Sequence, residues 1–287
     1  RCCFLQKITK ETMKRAIKDV WVRSLTEIQP DVLEALENAL EKETSPRGKQ
    51  YLDILIQNAK QAGKLHMVMC QDTGVPTFFV KTPLLFPYHD SIRDAFDEAL
   101  RELTAGEFPM RPMVVHPITR KDRGDNTALN VPLIHAELDN SIDYMEIKAM
   151  PKGAGCGTWS TLQILPPSVG MEGVKKFVVD SVLRASSNPC PPIILGVGIG
   201  GSFDKCAALA KKALLRPLDV PNPDPYYAQL EQELLTAING LGIGPQGFGG
   251  RTTCLGLAIE QMPTHVAGLP VAVNVSCHVT RRASAEL

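Results

Sequence analysis

The chain of 287 residues lacks an excess of charge of either sign, because 31 Lys and Arg residues balance 31 Asp and Glu residues. A balanced charge gives no electrostatic reason to bind nucleic acid or an acidic membrane surface, so neither partner is predicted. No apolar run is long enough to span a bilayer, and residues 1–5 lack the apolar region and cleavage site of a secretory signal. We therefore expect a cytoplasmic protein that works without nucleic acid or a membrane.

Closely spaced cysteine pairs are lacking as well. The eight cysteines include no CxxC pair and no compact zinc spacing, and they lie at positions 2, 3, 70, 156, 190, 206, 254 and 277. In a cytosolic chain they are expected to be reduced thiols, most of them small core residues. A metal site would therefore use only some of them, gathered from distant points of the sequence.

The hydrophobic content of 44% can bury one large core or two smaller ones. Amphipathic spacing predicts helices over residues 9–25, 30–43, 46–63, 91–103, 170–185, 205–216, 226–238 and 251–259. Apolar runs predict strands on both sides of residues 71–74, near 113–115, at 131–138 and 142–149 as neighbours, and at 193–196 and 270–277. We expect an α/β protein in which helical layers, including residues 1–65, pack on one central mixed sheet within a single domain over residues 1–287.

A cysteine between prolines precedes the predicted strand at 193–196. Prolines on both sides of Cys190 remove backbone donors and restrict the chain, which suits a fixed ligand. Glycines after the strand let the backbone approach another group, and Ser202 and Asp204 can cap the following helix, whose first N–H groups favour an anion. The same residues also fit a tight strand-to-helix connection with a buried cysteine.

Polar or glycine-rich segments interrupt the apolar runs elsewhere. In the turn at 71–74, Asp72 either has a specific chemical role or bonds the backbone of Gly74. Arg111 lies between prolines, where it could bind a carboxylate through its planar fork or form a salt bridge. The glycines of 153–157 suit close approach to a ligand and suit a simple turn equally well. The densest glycine run, at 240–250, precedes the predicted helix at 251–259, whose N-terminus could face a ligand.

Several of these motifs occur together in one known family. Cys70-Gln71-Asp72-Thr73-Gly74, Pro189-Cys190-Pro191-Pro192 with residues 196–201, the run at 242–245, and residues 269–273 followed by Cys277 resemble the class I iron–sulfur hydro-lyases. More narrowly, the chain resembles the α subunit of two-subunit fumarate hydratase or L(+)-tartrate dehydratase, equivalent to the N-terminal domain of single-chain class I fumarases. This resemblance implies that fold. It also implies reversible hydration of fumarate to L-malate first, or conversion of tartrate to oxaloacetate second.

The resemblance further implies a [4Fe–4S] cluster with one iron that has no protein ligand, held by Cys70, Cys190 and Cys277. Such an iron can act as a Lewis acid on the hydroxyl and carboxylate of a small dicarboxylate substrate. The widely separated positions explain why cysteine spacing alone does not reveal this site.

By the same resemblance, Gln71, Arg111 and Gly155 are expected to contact the substrate. Asp72 is the candidate proton donor to the departing hydroxyl, because it lies two residues from a cluster ligand. His265 matches the family's substrate-facing histidine; without that match, a histidine satisfied within its own loop would be the preferred interpretation.

The resemblance also implies a partner. In the single-chain enzymes a C-terminal domain supplies further substrate arginines and the residue that removes a proton from carbon, whereas this sequence ends at Leu287. We expect a chain that is inactive alone and works with a β subunit, in a hetero-oligomer such as a dimer of heterodimers. The loop at 153–159 is more like that of tartrate dehydratases and residues 200–205 are more like fumarases, so the substrate stays open.

Two hypotheses of other classes remain. The strand followed by Gly196, Gly198 and Gly201 fits G-x-G-x-x-G, the phosphate loop of a nucleotide-binding module. However, the acidic residue expected about twenty positions later is Asp219, within a proline-rich connection rather than at a strand end. A scaffold subunit that has lost its cluster is the other hypothesis, and the three retained cysteines argue against it.

Overall fold

The chain divides into two units in the computed structural model, which describes residues 8–86, 91–106, 108, 110–120 and 124–287. Unit 1 contains the described residues of 1–27, 66–153 and 281–287, and unit 2 contains residues 28–65 and 154–280. Residues 1–7 of the predicted N-terminal helical part lie outside the described residues. That residues 1–287 form one domain stays a prediction.

Unit 1 is built on a four-stranded mixed sheet. Its strands are β1 (Thr77–Thr82), β2 (Leu133–Leu138), β3 (Glu146–Ala149) and β8 (Ala283–Glu286), and its helices are α1 (Lys10–Thr26) and α4 (Ile92–Ala105). The strand order is β2-β1-β3-β8, with β1 parallel to β2 and antiparallel to β3. Aromatic rings join helices to sheet: Phe78 of β1 lies 5.4 Å from Trp21 of α1 and 4.7 Å from Phe96 of α4, centroid to centroid.

Unit 2 contains a second four-stranded mixed sheet and most of the helices. Its elements are α2 (Pro30–Lys42), α3 (Pro46–Leu65), α5 (Ala154–Gly157), β4 (Thr161–Leu165), α6 (Gly170–Ala185), β5 (Ile193–Gly201), α7 (Phe203–Ala213), α8 (Pro225–Asn239), β6 (Cys254–Thr264) and β7 (Leu269–Ser276). The strand order is β4-β7-β5-β6, with β5 parallel to β6 and antiparallel to β7.

The central strand β5 alternates between two kinds of residue. Its residues at 193, 195, 197 and 199 are branched and apolar, and they belong to the core formed with α6 and α8. Between them, a Cβ on Gly196 would lie 2.0 Å from the Ala210 carbonyl oxygen, and one on Gly198 would lie 2.3 Å from that of Cys206. The missing side chains therefore let α7 pack directly on the other face of the strand.

The predicted α/β class is confirmed, with two mixed sheets rather than the one expected. The helices predicted from amphipathic spacing are confirmed, except the one at 251–259. No helix in the described part of the chain is long and apolar enough to cross a membrane.

Several strand predictions are wrong. Residues 65–70 form no strand, because α3 continues to Leu65 and the Met69 N–H then bonds the Leu25 carbonyl. Residues 113–115 form no strand either: Val114 makes only an isolated bridge, and the main chain of Met113 bonds Gly124 and Asp125 of the following loop. Strands β2 and β3 exist but are not neighbours, because β1 lies between them.

The predicted helix at 251–259 is wrong as well. Residues 254–264 form β6 instead, because this apolar segment completes the edge of the sheet beside β5. The predicted glycine-rich turn after residue 196 is also wrong, since β5 continues through its glycines to Gly201.

Candidate active site

The Cys70 loop of unit 1 is fixed by its own polar residues. Cys70 is half-buried, and two residues later a carboxylate oxygen of Asp72 accepts the N–H of Gly74 at 2.9 Å. Backbone bonds between Val75 and Lys152, at 2.9 and 3.2 Å, close the loop. The bond to the backbone of Gly74 considered for Asp72 is therefore present, and it orients the carboxylate.

Two arginines hold successive carbonyls of this loop. Arg111 donates from Nε to the Gln71 carbonyl at 3.2 Å, and its own N–H bonds Thr73 Oγ1 at 2.9 Å. Arg281 donates from Nη1 to the Asp72 carbonyl at 2.7 Å. Within the described residues neither arginine forms an ion pair with a carboxylate, so the salt bridge considered for Arg111 is absent there.

In unit 2, the Cys190 loop leads into β5. Cys190 is exposed and has φ +56°, a left-handed conformation that is uncommon for a residue with a side chain. Both the N–H and the Nε2 of Gln246 donate to the Pro191 carbonyl, at 2.7 and 2.8 Å. The glycine-rich segment 240–250 therefore serves, through Gln246, as a support for the main chain beside Cys190.

The same glycine-rich segment is anchored from the junction of α2 and α3. Glu43 is only 1% exposed, and its carboxylate accepts the N–H groups of Thr44, Ser45 and Arg251 at 2.8 to 2.9 Å. Burial would raise the pKa of Glu43, but these backbone donors together hold the pKa below its ordinary value. A charged Glu43 therefore ties α2 to the main chain at Arg251.

His278 links the two predicted ligands of unit 2. Its Nδ1 lies 3.1 Å from the Cys190 carbonyl, and because a carbonyl only accepts, Nδ1–H is the donor. Burial lowers the pKa of His278 against the smaller opposing effect of this bond, so the ring is neutral at pH 7. His278 directly follows Cys277, which is half-buried and whose carbonyl accepts from Thr280 Oγ1 at 2.9 Å.

Three predicted site residues meet at one end of the unit 2 sheet. Strand β7 ends at Ser276 opposite Ile194, near the start of β5, so Cys277 and Cys190 lie at the same end. Helix α5, which contains Gly155, precedes β4 and packs on β7 at this end.

His265 lies at the opposite end of the same sheet. It follows β6, and the preceding Thr264 donates from Oγ1 to the carbonyl of Gly201, the last residue of β5. The nine residues of β5 separate it from Cys190 by about 25 Å at the usual rise of a strand. His265 Nδ1 accepts the N–H of Ala267 at 3.1 Å, the kind of local bond expected for a histidine satisfied within its loop.

The described cysteines fall into two groups. None is in a disulfide, and Cys156, Cys206 and Cys254 are buried, whereas Cys70, Cys190 and Cys277 are not. Burial raises the pKa of Cys206 to about 11 and that of Cys254 to about 12, so these two are protonated core thiols. Across residues 8–86, 91–106, 108, 110–120 and 124–287, no three His, Cys, Asp or Glu side chains form a group that could hold a metal ion. The predicted ligand set therefore stays a prediction.

The structure contradicts the phosphate-loop hypothesis. Residues Gly196 to Gly201 belong to β5, so there is no loop to surround a phosphate. At the start of α7, Ser202 Oγ donates to the Asp204 carboxylate at 2.5 Å. This bond and nearby backbone N–H groups lower the pKa of Asp204. A carboxylate of the chain already occupies the position that an anion would take.

Sequence reasoning missed His278, Arg281 and Gln246 as contributors to these loops. Only His278 and Arg281 had a local signal, because both follow Cys277 within four positions. Gln246 lies far from Pro191 in the sequence, so its contact leaves no local pattern.

Comparison with known proteins gives one family. Residues 14–286 match the family described as Fumarate hydratase (Fumerase). A Methanocaldococcus jannaschii protein named "Putative L(+)-tartrate dehydratase subunit alpha" is 43% identical over 274 residues, covering 93% of this chain and 96% of the relative. The L(+)-tartrate dehydratase subunit alpha of Escherichia coli K12 is 35% identical over 257 residues, covering 90% of this chain and 84% of that protein. The protein of the same name from Shigella boydii serotype 4 gives the same values.

Proposed function

Because the chain belongs to the fumarate hydratase (Fumerase) family, we propose that it is the α subunit of a two-subunit class I hydro-lyase that converts fumarate and water reversibly to L-malate. One observation of the structure carries the proposal. The three cysteines that match the family's cluster ligands, and no other cysteine in the described part of the chain, escape burial. A ligand thiol needs access to a bound group, whereas a core thiol does not.

We assign the [4Fe–4S] cluster to Cys70, Cys190 and Cys277. Their chemistry fits, because soft thiolates are the usual ligands of iron–sulfur clusters, and reduced thiols are expected in the cytoplasm, where we place the enzyme. When bound, the cluster supplies a Lewis-acidic iron to the substrate's hydroxyl and carboxylate.

The chain's own residues bind and orient the substrate. Gln71 and Arg111 are exposed, and Arg111 is anchored through Nε, so its planar guanidinium can bind a substrate carboxylate with its terminal nitrogens. Gly155 is exposed at the Cys277 end of the unit 2 sheet, where its backbone can approach the substrate. Asp72, oriented by Gly74, gives a proton to the departing hydroxyl and takes it back from water in the reverse direction.

The remaining groups come from other chains. His265 lies at the opposite end of its sheet from Cys190 and Cys277, so we propose that it serves the substrate bound to a second copy of the chain. This fits the predicted dimer of heterodimers. The relatives are named as α subunits, which supports a β subunit that supplies further arginines and exchanges the proton at carbon.

Conversion of tartrate to oxaloacetate is the second candidate. The relatives at 43% and 35% identity both carry a tartrate dehydratase name. The motif of the loop at 153–159 also resembles that of tartrate dehydratases. The two reactions share a 2-hydroxy dicarboxylate, so the same residues would serve either one.

Anaerobic co-purification with the β subunit tests the proposal. About four iron and four sulfide per heterodimer are expected, with activity on fumarate, L-tartrate or mesaconate assayed side by side. Cys277→Ser should lose both cluster and activity. Cys206→Ser is the matched control, because Cys206 is a buried thiol bonded to the Gly198 carbonyl, and it should keep both. A Cys277→Ser enzyme with an intact cluster would show that the ligand assignment is wrong.

A further inference from the structure

Two buried side chains follow Cys277 and hold the main chain beside the other two proposed ligands. Within unit 2, His278 donates to the carbonyl of Cys190 itself. Within unit 1, Arg281 donates to the carbonyl of Asp72, two residues after Cys70. His278 is 9% exposed and Arg281 is 4% exposed, so water does not compete for either bond.

The His278 bond acts on a backbone that needs support. Cys190 has φ +56°, a conformation that is unfavourable for a residue with a side chain. Prolines at 189, 191 and 192 remove the amides that could otherwise fix this loop through backbone bonds. Contacts made by the Cys190 and Pro191 carbonyls with His278 and Gln246 therefore take over that role.

Burying the Arg281 guanidinium costs more free energy than its packing contacts alone would justify. A buried guanidinium normally pairs with a carboxylate, and within the described residues Arg281 has no such ion pair and its Nε has no hydrogen-bond partner. Within the described part of the chain, its side chain bonds the Asp72 carbonyl alone. The loop that carries Cys70 and Asp72 therefore receives a buried cation that no acidic residue explains.

We propose that His278 and Arg281 are positioning residues for the cluster ligands: His278 fixes the Cys190 loop and Arg281 fixes the Cys70 loop, each within its own unit. The assignment of those loops as ligand loops rests on the proposed function. One short segment would then supply the third ligand and hold the other two, which explains why polar groups are buried directly after β7.

Hydrogen–deuterium exchange of the full-length, cluster-free chain tests the positioning directly. Two peptides report: residues 186–194, which contain the Cys190 amide bonded to Ser187, and residues 70–75, which contain the Gly74 and Val75 amides. His278→Leu should speed exchange about tenfold in the first peptide only, and Arg281→Met should do so in the second only. General destabilisation would speed exchange in both peptides or throughout a whole unit. It would not give faster exchange in one peptide for each variant.

Conservative variants distinguish the loss of a hydrogen bond from the loss of side-chain volume. His278→Asn places an amide donor near the position of Nδ1 and should restore slow exchange, whereas His278→Gln places it near Nε2 and should not. This pair also decides the question if His278→Leu does not fold. Arg281→Lys keeps a charged donor and should fall between wild type and Arg281→Met.

Matched controls remove similar bonds elsewhere. Asn222 is a buried side chain of unit 2 whose Nδ2 donates to the Ile259 carbonyl at 2.8 Å, and Arg93 of unit 1 donates to the Pro132 carbonyl at 2.8 Å. Asn222→Leu and Arg93→Met should leave both reporting peptides unchanged. The proposal is overturned if the controls match the His278 and Arg281 variants, or if those variants leave their peptides at wild-type rates.

The role of His278 and Arg281 in holding the cluster is measured separately, in the anaerobically purified complex with the β subunit. Loss of iron should be about 10- to 100-fold faster in His278→Leu and Arg281→Met than in the controls, as is typical for partners of metal ligands. If wild type binds no cluster, the proposed function fails while the exchange experiment still decides the positioning. If wild type binds the cluster and the variants retain it as well as the controls do, the inferred role toward the ligands fails alone.

Discussion

The two glycine-rich stretches of unit 2, at 196–201 and at 240–250, look alike in sequence and have different roles in the structure. The first is the second half of β5, where absent side chains let α7 pack against the strand. The second is an irregular segment with positive φ at Gly242, Gly244 and Gly247, and through Gln246 it supports the Cys190 loop. At Gly196 and Gly198 glycine therefore provides space, whereas at Gly242 it provides backbone conformation.

This difference matters for function because glycine content alone does not distinguish the two stretches. The stretch at 196–201 fits a phosphate-binding motif, yet it is sheet. The stretch at 240–250 is expected to lead into a helix, yet it leads into β6 and contacts the Cys190 loop through Gln246. Substitutions that add a single methyl group or remove one anchor distinguish the two uses.

The largest effect is expected for Gly196→Ala. The new Cβ would lie 2.0 Å from the Ala210 carbonyl oxygen, so α7 must move away from β5. We expect a loss of about 3 kcal/mol in the free energy of unfolding, the upper end for overpacked cores. Urea unfolding with an unchanged m-value measures it, and a loss below about 1 kcal/mol would mean that β5 and α7 are not packed as described.

Glu43→Gln should come next. The amide would place an NH₂ group against backbone N–H donors, so we expect a loss of about 2 kcal/mol in the free energy of unfolding. The wild-type pKa is held below its ordinary value of 4.5, so the stabilisation is present above that pH and is lost as pH falls below it. The variant should show a shallower decline of stability in this acidic range. If the free energies of unfolding of wild type and Glu43→Gln fall in parallel with pH, the Glu43 carboxylate does not stabilise the fold through these backbone bonds.

A smaller effect is expected for Gln246→Leu. Only the Nε2 bond to the Pro191 carbonyl is lost, because the backbone N–H bond remains, so the cost should be about 1 kcal/mol. Exchange should nevertheless rise in residues 186–194. Gln232→Leu is a control on the solvent side of α8 and should change neither quantity. If hydrogen–deuterium exchange in residues 186–194 is unchanged in the Gln246 variant, the glycine-rich segment does not support the Cys190 loop.

Local patterns predicted part of this molecule well. Helix α1 follows from apolar residues at Met13, Ile17 and Val20, which repeat at helical spacing. Strand β6 could not be distinguished from a helix, because a short apolar run fits both and only pairing with β5 decides. The candidate cysteines came from motif resemblance, since no spacing links positions so far apart.

Contacts between distant residues account for most of what the sequence could not show. Glu43 meets Arg251, and Arg281 meets Asp72, across more than 200 positions in each case. Such pairs leave no periodicity and no short motif, so only the folded chain reveals them. His265 is a further example, because a motif match carries no information about the end of the sheet at which a residue lies.

An effect as small as that of Gln246→Leu is expected for Gly242→Ala. Gly242 has φ +66°, and a Cβ there would meet nothing within 4 Å, so the substitution tests backbone conformation without any steric overlap. We expect a loss of about 1 kcal/mol from the left-handed conformation alone, and less for Gly242→Asn, because asparagine tolerates that region. Urea unfolding of both variants measures this order. If Gly242→Ala cost as much as Gly196→Ala, the distinction between space at Gly196 and backbone conformation at Gly242 would fail.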